Sequence, residues 1–277
     1  MIEDTQGKSD SRKLPIDKVG IKNIQYPITV ANHSGKTQTT LGNFEMYVKL
    51  PHDQKGTHMS RFVEILNDHK DHLSLENIHR TLSEMKDRLE SEEAFVKVTF
   101  PYFIEKESPV TLSKSFMYYT VAIAGESNAV DRITVSIDVP VTTLCPCSKS
   151  ISEYGAHNQR GLVRIHARFE PNGSFIDFEE IIRRVEKTSS CEVFALLKRE
   201  DEKFVTEQAY ENPVFVEDLV RDIALSLAEI REIVWFSVEV TNFESIHNHD
   251  AYANIEVDKS ITQANKTFVI PIISERP

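Results

Sequence analysis

Only three cysteines (Cys145, Cys147, Cys191), one tryptophan and nine glycines occur in 277 residues. Three cysteines cannot make a paired disulfide framework, and so sparse a count fits a reducing compartment, where thiols serve as ligands or nucleophiles. The glycines are scattered, and none stands at the spacing of a dinucleotide-binding or phosphate loop. No apolar run approaches the ~18 residues needed to cross a bilayer. The polar stretch from Met1 to Lys13 has no apolar centre of the kind a secretory signal carries. Positive charge is also short: Lys plus Arg total 32 against 43 Asp plus Glu, a net charge of −11. That balance argues against a general binder of nucleic acid or of anionic membranes. What remains is a cytoplasmic enzyme or binding protein. It is 40% apolar and 27% charged, as globular proteins are, and long enough to bury a core in one large or two small domains.

Residues 1–18 carry no apolar period and read as a mobile N-terminal arm. Phe44, Met46, Val48 and Leu50 then alternate, which predicts a strand, and Met59, Phe62, Val63 and Leu66 recur at helical spacing. Ser74 opens a second helix striped by Leu75, Ile78, Leu82, Met85 and Leu89, followed by strands near 95–103 and 116–124. Past Glu126–Asn128 the order repeats. Ile133, Val135, Ile137 and Val139 alternate, as do Val163, Ile165, Ala167 and Phe169, with a turn at Asn172-Gly173. Asp177 and Glu180 resemble a capping box ahead of the stripe Phe178, Ile181, Ile182, Val185. Asn212-Pro213 predicts the start of another helix, striped by Val216, Leu219, Val220, Ile223, Leu227 and Ile230. Strands near 236–240 and 251–257 close the pattern. Each half reads strand–strand–helix–helix–strand–strand. The expectation is an α+β protein of two tandem units, 19–126 and 127–277, with antiparallel sheets and helices packed on one face.

Reactive side chains concentrate in the second unit. Leu144 to Gly161 is long for a hairpin connection and dense in polar chemistry, where sites tend to sit. Cys145-Pro146-Cys147 makes a rigid turn, and His157 follows Cys145 by twelve positions. A loop returning on itself would bring thiolate and imidazole to one zinc or similar borderline ion. A lone Cys-x-Cys also suits a redox pair. Cys191-Glu192 offers either a thiolate or a carboxylate as a third ligand. His247 and His249, placed i, i+2 on a predicted strand, would face one side as ligands or proton shuttles, or form a solvated turn. Lys198 to Glu207 reads as a solvated charge run, except that Glu207, if pocketed, offers two acceptors to an N–H edge.

Cys145-Pro146-Cys147-Ser148-Lys149 followed by Tyr154-Gly155-Ala156-His157-Asn158-Gln159-Arg160-Gly161 resembles the signature of GTP cyclohydrolase I of the IB type. Gly56 to Phe62, Leu197 to Asn212, and Glu244 to Ala253 resemble the same family, so the likeness runs from about Val19 to the end. It implies tandem tunnelling-fold units, in agreement with the repeat, and a homotetramer with sites at subunit interfaces. The implied reaction takes GTP and water to 7,8-dihydroneopterin triphosphate and formate, the first step toward tetrahydrofolate, by attack of a metal-activated water at guanine C8. By motif, Cys145, His157 and Glu192 are the implied ligands of a divalent metal (zinc, manganese or iron), with Cys191 open as the alternative to Glu192. Glu207 is the implied anchor of the purine edge, and His247, with His249 second, is the implied acid/base. The triphosphate needs local cations: Lys149 and Arg160 in the metal loop come first, ahead of Lys198, Arg199 and Lys203. Ser148 and Gln159 are further substrate contacts expected from the same loop.

Two other functions fit less of the sequence. Leu112 to Phe116 faintly resembles the lysine–serine motif of the nitrile reductase that makes a 7-deazaguanine amine on this fold, an enzyme that needs NADPH. A non-catalytic purine or pterin binder would keep the fold and release no formate.

Overall fold

Period-two alternation turns one side chain in two toward a core, and long strands of this kind dominate the chain. The computed structural model describes residues 6, 9–32, 34–69, 74–128, 131–169 and 177–259. In chain order its elements are β1 (Ile16–Ala31), β2 (Thr37–Leu50), α1 (Met59–His69), α2 (Leu75–Leu89), β3 (Ala94–Glu107), β4 (Lys114–Ser127) and β5 (Arg132–Leu144). They continue as α3 (Pro146–Ile151), β6 (Asn158–Phe169), α4 (Phe178–Thr188), β7 (Cys191–Glu192), α5 (Arg199–Glu211), α6 (Val216–Ala228), β8 (Ile233–Asn242) and β9 (Ala251–Asp258). The chain divides into two compact units. The first is Met1–Tyr102 with Thr120–Val135 and Ser174–Asp177. The second is Phe103–Tyr119, Ser136–Gly173 and Phe178–Pro277. Strands β3, β4 and β5 give residues to both. No helix of the described residues is long and apolar enough to cross a membrane.

In the first unit β1 pairs antiparallel with β2, and β2 with β3, in a register that sets Phe44 opposite Val98 and Met46 opposite Val96. Phe44, Met46, Val48 and Leu50 all turn inward. Phe62, Ile65 and Leu66 of α1 and Ile78, Leu82, Met85 and Leu89 of α2 are buried with them. Each such side chain contributes about 1.5–3 kcal/mol by leaving water. Gly125 of β4 lets α2 lie close: a Cβ there would stand 2.6 Å from the Ile78 side chain and 2.9 Å from that of Leu82. Ser74 caps α2 by accepting from the Asn77 N–H at 3.1 Å, as its sequence position predicts.

The second unit is built the same way. Strand β6 pairs with β8 and β8 with β9, setting Val163 opposite Val240 and Val238 opposite Ile255. The two residues of β7 pair with β5. Ile181, Ile182 and Val185 of α4, and Val216, Leu219, Val220, Ile223 and Leu227 of α6, fill its core.

Three expectations change. Asn212 does not cap a helix start but ends α5: its N–H donates to Gln208 O at 3.0 Å and its side chain to Ser189 O at 2.8 Å. With Val214 N–H also bonded to Leu144 O, the chain is pinned until Phe215, so α6 begins at Val216 and Ile230 lies beyond it. The charge run 199–207 is helical as α5, because Asp201 caps it from within by accepting from Lys198 N–H at 2.9 Å. The loop 144–161 contains the short helix α3. The turn at Asn172-Gly173 and most of residues 1–8 lie outside the described residues. Of the expected arm, Ser9 bridges to Gln54 and Asp10 N–H donates to Asp53 O.

Candidate active site

The inward face of β5 runs Val135, Ile137, Val139, Val141 and then Thr143, and that of β6 runs back from Ala167 through Ile165 and Val163 to Gln159. Both stripes therefore end in a buried polar residue at the point where β5 hands the chain to α3. Cys145 stands there as the N-cap of α3, with extended backbone. Its Sγ accepts from the Ser148 N–H at 3.4 Å. Pro146 takes the first helical position, where a missing N–H costs no bond. After α3, Gly155 turns the chain with φ +119, a conformation open to glycine. His157 then returns beside Cys145, whose N–H donates to His157 O at 3.1 Å. Ser148 ties both strands of this loop, its hydroxyl donating to Cys145 O at 3.1 Å and accepting from His157 N–H at 3.2 Å.

The His157 ring is half-buried. Its Nδ1 stands 2.9 Å from Gln159 Oε1, 3.4 Å from Ser245 Oγ and 4.0 Å from Glu244 Oε2. Gln159, in turn, donates from Nε2 to Thr143 Oγ1 at 2.9 Å. Both ends of the Gln159 amide are thus engaged by protein, so a substrate contact there would have to break one of these bonds.

Strand β7 sets Glu192 opposite Val141 and Cys191 opposite Thr142. Adjacent strand residues face opposite ways. The Cys191 side chain is buried, with Sγ 3.5 Å from Gln208 Oε1, and burial pushes its thiol up, with the Glu192 carboxylate adding to the effect. Glu192 is about one-third exposed and meets Lys106 Nζ at 2.7 Å. Lys106 also binds Glu186 at 2.8 Å and Val193 O at 3.2 Å, and lies 4.6 Å over the Phe194 ring. Tyr119 donates to Glu186 at 2.6 Å. Burial pushes the Glu186 carboxyl up against the opposing pull of Lys106 and Tyr119.

The remaining expected residues lie on the surface of this chain. His247 and His249 fall in the connection to β9 rather than on a strand, yet their rings stack 5.1 Å apart and both are exposed. Glu207 lies on the outer side of α5, exposed and 3.4 Å from Lys203. Lys149 Nζ donates to Tyr210 O and covers the Tyr210 ring at 4.4 Å. Arg160, Lys198, Arg199 and Cys147 are exposed. Lys114, from the segment resembling the reductase motif, is exposed and bound to Glu105 and Glu107.

Sequence reasoning missed Lys106, Glu186 and Glu244. The first two did carry a signal: Lys106 continues the inward period of β3 and Glu186 follows Ile182 and Val185 on the buried face of α4, so each is a charge where an apolar residue is expected. Glu244 gave none, since only folding sets it against His157.

A model of the family described as Type I GTP cyclohydrolase folE2 matches residues 2–253. The chain belongs to this family. It is 54% identical over 259 residues to the GTP cyclohydrolase FolE2 of Methylobacillus flagellatus, covering 93% of this chain and 96% of that one. The FolE2 of Magnetococcus marinus is 52% identical over 257 residues, 92% and 96% of the two chains. That of Geobacter sulfurreducens is 50% identical over 258 residues, 93% and 99%. Among solved structures, a uricase from Bacillus fastidious superposes with a TM-score of 0.58 at 9% identity, over 94% of this chain and 98% of its own. Urate oxidase from Bacillus subtilis 168 gives 0.51 at 11% identity, over 88% and 99%. At such identities the likeness concerns fold alone: the α+β tunnelling fold of antiparallel strands and helices.

For the divalent metal that the sequence resemblance implies, the donor types at the head of the loop are chemically apt. A backbone bond brings the residues of one thiol and one imidazole together, and the imidazole's Nδ1 lies 2.9 Å from Gln159 Oε1. Among the described residues no three His, Cys, Asp or Glu side chains stand together as a metal cluster. The carboxylate of Glu192 is instead matched by Lys106.

Proposed function

We propose that this chain converts GTP and water to 7,8-dihydroneopterin triphosphate and formate, the entry step to folate-type pterins. The family match over residues 2–253 carries the reading. Cys145, His157 and Glu192 would hold a divalent metal, zinc, manganese or iron. The meeting of Cys145 with His157 supports the first two. The burial of the Cys191 thiol and its engagement with Gln208 favour Glu192 as the third. When bound, the metal supplies Lewis acidity at the reacting guanine.

The chain's own groups do the rest. Glu207 accepts from the N1–H and 2-amino edge of guanine through two carboxylate oxygens. Lys149, Arg160 and Ser148 face the triphosphate, with Lys198, Arg199 and Lys203 as lesser cations. His247, and behind it His249, delivers and removes protons as the ring carbon–nitrogen bonds break and the ribose rearranges. The exposure of Glu207, Arg160, His247 and His249 in a single chain supports a homotetramer whose sites are completed between subunits. In this reading 19–126 is the scaffold and interface unit, 127–277 carries the site, and the enzyme works in the cytoplasm.

The test measures formate and dihydroneopterin triphosphate from GTP with metal-stripped protein, adding zinc, manganese or iron back singly, for wild type and Cys145→Ala. Product that returns with metal in the wild type alone is expected. Folded protein that binds GTP and forms no product with any metal would leave a purine-binding module, and product that requires NADPH would point to the reductase.

A further inference from the structure

Gln159 is a long polar side chain only 7% exposed, set on the core face at the start of β6. A buried amide with an unmet group costs about 1–3 kcal/mol, so its placement needs a reason. Its two ends reach two partners: Nε2 donates to Thr143 Oγ1, itself fully buried, and Oε1 faces His157 Nδ1 at 2.9 Å. A glutamine amide can be turned end for end, which would exchange donor and acceptor toward the imidazole. The surroundings of Nδ1 decide the direction. Glu244 Oε2 at 4.0 Å is a carboxylate oxygen and only accepts, and Ser245 Oγ at 3.4 Å accepts as readily as it donates. A carboxylate oxygen and a hydroxyl oxygen both face this nitrogen, so the proton belongs on Nδ1 and Gln159 turns Oε1 toward it. Its ring partner Nε2 then carries the lone pair.

We propose that Gln159 is a positioning residue, which fixes His157 as its Nδ1–H tautomer and so presents Nε2 as the coordinating nitrogen. The tautomer stands on this geometry; its use toward a metal rests on reading His157 as a ligand. Gln159 touches no reacting atom in this role. It acts through His157, and Thr143 holds its amide in the productive direction.

The tautomer is read from long-range proton–nitrogen correlations of the full, metal-free chain labelled with nitrogen-15 in histidine, at alkaline pH where imidazoles are neutral. A His157→Gln sample identifies the His157 signals. The Nδ1–H pattern is expected in the wild type; an Nε2–H pattern would overturn the proposal without any variant having to fold. Gln159→Leu should mix the tautomers and weaken zinc or manganese binding by about 10- to 100-fold, the scale of losing a group that orients a ligand. Gln159→Glu, which keeps an acceptor at the same reach, should restore both, and Thr143→Val should loosen the tautomer while leaving Gln159 in place. A Gln159→Leu protein that keeps the Nδ1–H form, or loses it with metal affinity unchanged, overturns the positioning role. Unchanged metal affinity in His157→Gln instead removes the ligand reading of His157, and with it the metal half of the proposal, while the tautomer assignment is judged by the wild-type spectrum alone.

Discussion

Both units bury hydroxyls, but only the second also buries carboxylates among the described residues. Among the described residues of the first, the fully buried polar side chains are hydroxyls, Thr40, Thr57, Thr81, Ser91 and Ser127, beside the half-buried amide of Asn43. Three of them spend their proton on a backbone oxygen, Thr40 on Pro101, Thr81 on Asn77 and Ser91 on Lys49. The second unit buries hydroxyls as well, Ser108, Thr143, Ser189, Ser190 and Ser237, and adds two carboxylates, Glu186 and Asp201, with Gln159 and Asn242. A hydroxyl is satisfied by one neighbouring carbonyl, whereas a buried carboxylate needs several donors or a counter-ion brought from other elements. Asp201 collects four donors, from Lys198, Val110 and Thr111, and Glu186 takes Lys106 and Tyr119. One unit is ordinary core; the other carries groups whose cost only a specific arrangement offsets, and the expected ligands lie among them.

The widest separation between the units should come from Cys145→Ala, which is expected to lower metal-dependent formate release by about 10³-fold, or roughly 4 kcal/mol in the barrier, with Tm nearly unchanged. A parallel loss of Tm would mean that Cys145 is a structural residue like those of the first unit. Phe62→Ala should do the reverse. Emptying a fully buried ring site costs about 3–5 kcal/mol, read as a lower urea midpoint, while activity per folded molecule stays near wild type. Next in size is Lys106→Met. It leaves Glu186 and Glu192 without their shared cation and should cost about 3 kcal/mol in urea unfolding, with Glu186→Gln in the same chain recovering part of it.

The smallest effect is a matter of pH. Burial works to raise the Asp201 carboxyl, but the donors from Thr111, Lys198 and Val110 outweigh it and hold the group well below the usual carboxylate range. A depressed carboxyl gives stability that is complete above its unfolded value of about 3.9 and fades as pH falls below it. The Tm gap between wild type and Asp201→Asn should therefore be widest near neutrality and close under acid. Glu186 is raised, so its sign is opposite: its contribution is complete below an unfolded value of about 4.3 and fades as pH rises through the folded one. Wild type should lose ground to Glu186→Gln on going from acid to neutral pH. Parallel pH curves for the two pairs would remove the contrast between them.

Most elements were legible because burial imposes a period. The stripe Ile78, Leu82, Met85, Leu89 specifies α2, and the alternation from Phe44 to Leu50 specifies the inner half of β2. Helix α5 was not legible, because its face is mostly exposed charge and it is organised by Asp201 reaching the β3–β4 connection some 90 positions away. The start of α6 was misread for a related reason: the Asn-Pro pair has a local meaning, and a long-range bond from Val214 to Leu144 overrode it.

The sequence by itself determined most of the apolar stripes that become strands and helices, the loop that carries Cys145 and His157, and the family. These depend on residue type and spacing along one segment. Tertiary structure alone decided that Cys191 is buried against Gln208, that Lys106 neutralises Glu192, and that Gln159 and Glu244 converge on one nitrogen of His157. Each of these joins residues far apart in sequence or selects one rotamer among several, and hydrogen bonding at about 3 Å is settled by the packing of the elements that carry the side chains.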